Sequence, residues 1–248
     1  HGLPDHAIQI IRTADRENVQ HLLRMDRYVD VLIPRGGKSL IERVASESRI
    51  PVIKHYEGIC HQYLAADAPV ERAVAVTVNS KCQRVEVCNA LETLLVDGQS
   101  SERLLPELKR AFDAENVRLR GCARTCAILS DIEIATEEDW CTEYLDRILS
   151  VRIVDGVTEA IDHINTYGSG HTDGIITDDI ATARRFVAGV DASSVLVNAS
   201  TRLSGGGDYG MGAVVGISTD KLHARGPVGP SELTSYKWIA YGDGHLRD

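Results

Sequence analysis

The chain has 248 residues, 43% apolar and 25% charged, which are the proportions of an ordinary globular protein with room for a large core and one or two domains. A formal net charge of −9 argues against sequence-independent nucleic-acid binding, which needs clustered Lys and Arg to neutralise phosphates. No apolar run approaches the roughly 20 residues of a membrane span and no secretory signal opens the sequence, so a small-molecule substrate in the cytoplasm is the expectation.

Two amphipathic helical stretches are readable near the start, over residues 7–12 and 16–25, with Asp15 placed to cap the second. Residues 28–33 form a short apolar run rich in β-branched side chains, and Pro34-Arg35-Gly36-Gly37, a helical pattern over 38–48 and a second strand over 50–54 follow it. This alternation of strand and helix predicts a parallel sheet of Rossmann type. Gly36 and Gly37 sit between strand and helix, where backbone N–H groups and the helix dipole can hold a phosphate, although a plain tight turn explains two glycines equally well. A P-loop is excluded, because Leu32 stands where its first glycine would be.

Residues 66–81 read as a helix that delivers the chain to Cys88. Lys81 and Arg84 precede this cysteine, Asn89 follows it, and an apolar run comes next. Two readings stand: a thiol whose pKa is lowered by nearby positive charge so that it can attack as thiolate, or a small buried hydrophobe. Downstream, helices are predicted over 101–115, 157–167 and 180–190, and strands over 147–154, 174–177 and 194–198, so the second region alternates as well. Residues 236–241 predict a last strand, of the kind that adds to a sheet elsewhere in the chain or in another subunit. The six cysteines carry no disulfide signal in a chain of this size, and Cys122 and Cys126 lack a second pair of ligands at zinc-like spacing, so no metal is expected.

The run from Gln83 through Cys88 and Asn89 to Leu95 resembles the catalytic segment of gamma-glutamyl phosphate reductase, a family of the aldehyde dehydrogenase superfamily. Five further stretches resemble that family's signatures in the family's order: those beginning at Pro34, Ile50, Tyr167, Val197 and Gly216. The resemblance covers nearly the whole chain but only the C-terminal three-fifths or so of the family's length. It implies an α/β, aldehyde dehydrogenase-like fold with a partial Rossmann-type cofactor domain over residues 1–65, an α/β catalytic domain over 66–225 and a C-terminal oligomerisation strand over 226–248.

The resemblance further implies NADPH-dependent reduction of L-glutamyl 5-phosphate to L-glutamate 5-semialdehyde in proline biosynthesis, with NADPH/NADP as cofactor. Cys88 is the implied nucleophile; Arg35, Gly36, Gly37, Lys38 and Glu143 are the implied cofactor contacts; Asn89, Ser200, Thr201 and Arg202 are the implied substrate contacts. Without the resemblance, Glu143 reads as a solvated acid and Arg202 as a surface or structural arginine. One oxyanion donor, an asparagine in the family's N-terminal part, lies outside this sequence. Alignment with hydrolytic aldehyde dehydrogenases puts His55 where their water-activating glutamate stands, which favours phosphate over water as acyl acceptor. The family's proline in the cysteine segment is replaced by Val85, and Glu86 brings a negative charge close to the thiol. A homo-oligomer, dimer or larger, is implied, and glutamate 5-kinase is a further partner the resemblance suggests. The rival readings are a hydrolytic aldehyde dehydrogenase of another small aldehyde and a non-catalytic relative that keeps the fold.

Overall fold

The computed structural model describes residues 2–247 and divides into two compact units, one up to Lys54 and one from His55 onward. In the first unit, α1 (Glu17–Leu22) and α2 (Lys38–Glu47) form, and Leu23, Ile41, Val44, Ile50 and Ile53 are buried. Asp15 accepts the Glu17 N–H at 2.9 Å, but Arg16 occupies the N-cap, one residue later than expected, and the helix ends at Leu22 rather than near residue 25. The expected helix over 7–12 is absent: the segment turns and bends, and Ile8 and Ile10 are exposed. The two strands expected at 28–33 and 50–54 reduce to one parallel bridge between Leu32 and Val52. Pro51 has no N–H to give, so the ladder stops after Leu32 donates to the Pro51 carbonyl and Ile53 donates to that of Leu32, each at 2.9 Å.

The second unit is a seven-stranded parallel sheet in the order β4-β3-β5-β2-β1-β6-β7. Its strands are β1 (Cys60–Leu64), β2 (Leu91–Asp97), β3 (Arg118–Gly121), β4 (Glu133–Ile134), β5 (Ile148–Val154), β6 (Thr172–Ile176) and β7 (Ser194–Val197). The helices are α3 (Val70–Cys82), α4 (Ser101–Ala114), α5 (Ala123–Ile128), α6 (Gly156–Tyr167) and α7 (Ile180–Gly189). Strand parity decides which helices lie on which face. Leu64, Leu94 and Val96 pack with Ala73 of α3 and Leu104, Leu105, Leu108 and Phe112 of α4. Their neighbours Tyr63 and Leu95 point the other way, to Ala160 and Ile164 of α6 and Phe186 of α7. A sheet covered on both faces buries every residue of β1, β2 and β6, which is why these strands read as runs rather than alternations.

A separate antiparallel pair, β8 (Gly216–Ser218) with β9 (Gly226–Val228), follows the sheet. The last expected strand is not formed within this chain: residues 236–241 pair with nothing in either sheet, and Tyr236, Trp238 and Tyr241 stand exposed. A strand exists only against a neighbour, and among the described residues 236–241 have none. Among the described residues no helix is long and apolar enough to cross a membrane.

Candidate active site

Residues 83–90 join α3 to β2 and carry Cys88 in a turn closed by Ala90 N–H donating to the Val87 carbonyl at 2.9 Å. The two ends of this connection are clamped inside the protein. Lys81, in the last turn of α3, meets Glu92 of β2 at 2.6 Å, and both side chains are fully buried. Burial pushes the Glu92 carboxyl up to about 7 despite the lysine beside it, and burial likewise lowers Lys81.

The main chain of Cys88 is held from the start of β1. A Cβ on Gly58 would lie 1.8 Å from the Cys88 carbonyl oxygen, so only glycine allows this approach. The Cys60 thiol donates to that same oxygen at 3.2 Å. Burial raises the Cys60 pKa well above the usual thiol range, with Asp173, Cys88 and Glu92 adding to the effect, so Cys60 serves as a protonated donor. Cys88 itself is half-buried, and none of the cysteines forms a disulfide.

Parallel register brings a third strand into the group. Cys60 lies opposite Leu91 of β2, and His61 opposite Asp173 of β6, so the amino ends of β1, β2 and β6 meet where His171 precedes β6. His55, Cys88 and His171 each place one donor atom within 4.8 Å of the others, and the two imidazoles meet edge-to-face with centroids 5.5 Å apart. Burial, with His55 adding, drives the His171 pKa down to about 3, so this ring is neutral at physiological pH. The grouping sits at the amino edge of the sheet, opposite the edge at which open α/β sheets usually bind ligands.

Asn89 and Arg202 stand together beside this turn. The Arg202 guanidinium donates to the Asn89 side-chain oxygen and to Gln83 Oε1 at 2.9 Å, while Asn89 Nδ2 donates to the Ser204 carbonyl at 3.0 Å. Burial, then Arg84, lowers the Arg202 pKa, and Cys88 is among the groups that oppose this. Ser200 and Thr201 are placed differently. Both are buried and tied to Ser80 of α3, which donates to Ser200 Oγ and accepts the Thr201 N–H, each at 3.2 Å. They support the segment that carries Arg202.

The candidate cofactor residues divide between the units. Arg35 and Gly36 precede α2, Gly37 is its N-cap with no side-chain cap, and Lys38 is its first residue, all four exposed. Gly36 has φ +153°, a conformation L side chains rarely adopt. Beside them Arg16, Val19, Gly37, Ser39, Leu40 and Arg43 line a cavity of about 540 Å³. Two arginines and an uncapped helix start are what a nucleotide phosphate needs, so these residues fit such a group. Glu143 belongs to the second unit, where its carboxylate accepts the Gly58 N–H at 2.8 Å.

Sequence reasoning missed Gly58, Cys60 and Ser169 as supports. Ser169 Oγ accepts the Ile59 N–H at 3.0 Å, from more than a hundred positions along the chain. The available signal was a run of polar residues, Cys60, His61 and Gln62, in what proves to be a fully buried strand.

No protein-family model matches the chain. Among solved structures, a gamma-glutamyl phosphate reductase from Thermotoga maritima matches 96% of this chain at 43% identity and a TM-score of 0.94. An acetylating aldehyde dehydrogenase from Geobacillus thermoglucosidasius matches all of it at 20% identity and a TM-score of 0.73, covering 64% of that chain. A glyceraldehyde-3-phosphate dehydrogenase from Methanocaldococcus jannaschii, complexed with NADP, matches 74% at 14% identity and a TM-score of 0.59, covering 48% of that chain. These two likenesses show the fold alone. The chain spans 57% of the length of the Thermotoga relative. The chain therefore has the aldehyde dehydrogenase fold and is similar to the gamma-glutamyl phosphate reductase from Thermotoga over that part of its length.

Proposed function

We propose that the chain carries the catalytic part of an NADPH-dependent gamma-glutamyl phosphate reductase, with Cys88 as nucleophile. The observation that carries this reading is the Cys88 turn itself. Its main chain is fixed by Gly58 and Cys60, and Arg202 and Asn89 stand beside it, within a chain 43% identical to a reductase of that kind.

Cys88 attacks the γ-carbonyl carbon of L-glutamyl 5-phosphate; the C–S bond forms as the C–O bond to phosphate breaks, leaving a thioester on Sγ. The nicotinamide cofactor, when bound, supplies the hydride that reduces this acyl group to the aldehyde. Arg202, with a planar fork of N–H donors, is suited to the substrate's α-carboxylate. Asn89 orients that guanidinium through its side-chain oxygen. His55 has its donor atom within 4.8 Å of the Cys88 sulfur in a cluster that includes no carboxylate, which supports phosphate over water as the acyl acceptor in the reverse direction. Arg35, Gly36, Gly37, Lys38 and Glu143 are the proposed cofactor contacts. The exposed apolar residues Tyr236, Trp238, Ile239 and Tyr241 support strand addition to a second subunit, and so a homo-oligomer.

The test is NADP reduction with L-glutamate 5-semialdehyde, with and without inorganic phosphate. It is run on this chain and on the chain joined to the N-terminal portion of the Thermotoga relative. Phosphate-dependent turnover that disappears in Cys88→Ala is expected in the joined form. Turnover independent of phosphate, or retained in Cys88→Ala, refutes the reading.

A further inference from the structure

We propose that His55, Cys88 and His171 form a binding site for a thiophilic divalent cation of the zinc class, one that caps the Cys88 thiol. Three donors of the right kind, two imidazoles and one thiol, have their donor atoms within 4.8 Å of one another. A tetrahedral zinc ion with bonds of about 2.0–2.3 Å holds its ligands about 3.5 Å apart, so the three side chains have to close by about 1 Å. His55 and Cys88 are half-buried rather than enclosed.

The hydrogen bonds of the two rings set their tautomers. His55 Nδ1 lies 3.0 Å from the Ile217 carbonyl, which can only accept, so this nitrogen carries the proton. His171 Nδ1 lies 2.8 Å from Thr172 Oγ1, whose own proton goes to Ser204 Oγ at 2.8 Å. Each imidazole is thereby anchored through Nδ1–H, which leaves its Nε2 without a proton, the tautomer that outer partners set in metal-bound histidines. His171 Nε2 is also a buried nitrogen without a hydrogen-bond partner, in a side chain with 0% exposure. Such an atom is costly to bury unless something binds it. Three protein ligands leave a fourth position for water. Binding converts the thiol to a metal thiolate and releases its proton to solvent, with no redox change.

Metal binding requires only that the three side chains converge. It does not depend on Cys88 being the nucleophile; reversible inhibition by the metal would rest on that reading. The test uses the reduced protein under anaerobic conditions. Co²⁺ titration, followed by the near-ultraviolet charge-transfer band of a cobalt thiolate, is paired with Zn²⁺ protection of Cys88 against iodoacetamide, located by peptide mass. One equivalent of Co²⁺ should raise the band, and Cys88→Ser should abolish it. His55→Ala and His171→Ala should each weaken binding at least about tenfold, the cost of disturbing even an outer partner of a metal ligand. The variant Cys122→Ser/Cys126→Ser should retain it. If His171→Ala fails to fold, the half-buried His55 decides the matter. A band that survives Cys88→Ser, zinc protection unchanged in His55→Ala, or no protection of Cys88 at all overturns the proposal. The first of these would identify adventitious binding at Cys122 and Cys126.

Discussion

The Lys81–Glu92 pair lies where its removal separates stability from charge. Both side chains have 0% exposure and meet at 2.6 Å, and they join the end of α3 to the start of β2 across the segment bearing Cys88. Lys81→Met keeps the bulk of the stem but leaves a buried carboxyl without its cation, which costs about 3–5 kcal/mol. Glu92 already titrates near 7, because burial outweighs the attraction of Lys81. Without Lys81 its folded pKa rises further above the unfolded value of about 4.3, so the variant's stability declines as pH rises through the folded pKa. The loss should therefore be larger at pH 8 than at pH 6. Lys81→Met/Glu92→Leu removes the stranded charge, and apolar replacement of both partners of a buried pair is often neutral or stabilising by about 1–4 kcal/mol. Against this, the Leu145 N–H loses its acceptor, a bond of 3.2 Å to Glu92 whose loss costs about 1–3 kcal/mol. The double variant should then recover at least half of the single variant's loss. Urea unfolding midpoints of the wild type, both single variants and the double variant at the two pH values measure this. A single-variant loss below about 1 kcal/mol, or a double variant as unstable as the sum of the singles, refutes the reasoning.

Gly58→Ala puts a Cβ 1.8 Å from the Cys88 carbonyl, so the turn must shift; the alkylation rate of Cys88 should change several-fold while Cys141, exposed and remote in sequence, reacts as before. Burial, with His61 and Arg152 adding, holds His163 at a pKa of about 3, and His171 is held at about the same value. As pH falls from about 6.5 towards 3, the unfolded chain therefore takes up protons that the folded chain refuses, and stability falls by about 1.4 kcal/mol per pH unit for each ring. His163→Phe should remove roughly half of that combined slope in urea midpoints between pH 6 and 4; an unchanged slope counts against it. Arg202→Lys keeps the charge but not the fork that reaches both Asn89 and Gln83; in the joined enzyme it should raise KM for the semialdehyde about tenfold or more with a smaller effect on kcat. Equal loss in both parameters would assign Arg202 to the chemical step instead.

The parts of the fold that could be read from the sequence are those in which one segment decides its own state. The helix over 101–115 is found at Ser101–Ala114 because Leu104, Leu105, Leu108 and Phe112 form one apolar stripe that α4 buries. The strands over 147–154 and 194–198 appear within a residue or two of their expected bounds. What failed depended on a partner. Residues 28–33 and 50–54 have strand composition but share one bridge, and 236–241 has no neighbour inside the chain. In the same way Cys88 and Asn89 were visible as a local pattern, whereas Gly58, Cys60 and His171 join them only through the register of β1 with β2 and β6. Register is a tertiary choice, and no spacing within one segment encodes it.

The manner in which Cys88 is held bears on what it can do. Several contacts act on its backbone: the Cys60 thiol and the approach of Gly58 both meet its carbonyl oxygen, and the Val87–Ala90 hydrogen bond closes the turn around it. Those supports lie at the amino edge of the sheet, where Gly58, Cys60 and Ala90 are buried and packing resists displacement. The side chain itself is half-buried, with the donor atoms of two imidazoles within 4.8 Å of its sulfur. A held main chain with a half-buried thiol suits a nucleophile that must swing between an acyl carbon and its resting place. It equally suits a ligand that must close by about 1 Å onto a cation. The two uses compete for one sulfur atom, so each is measurable as protection against the other.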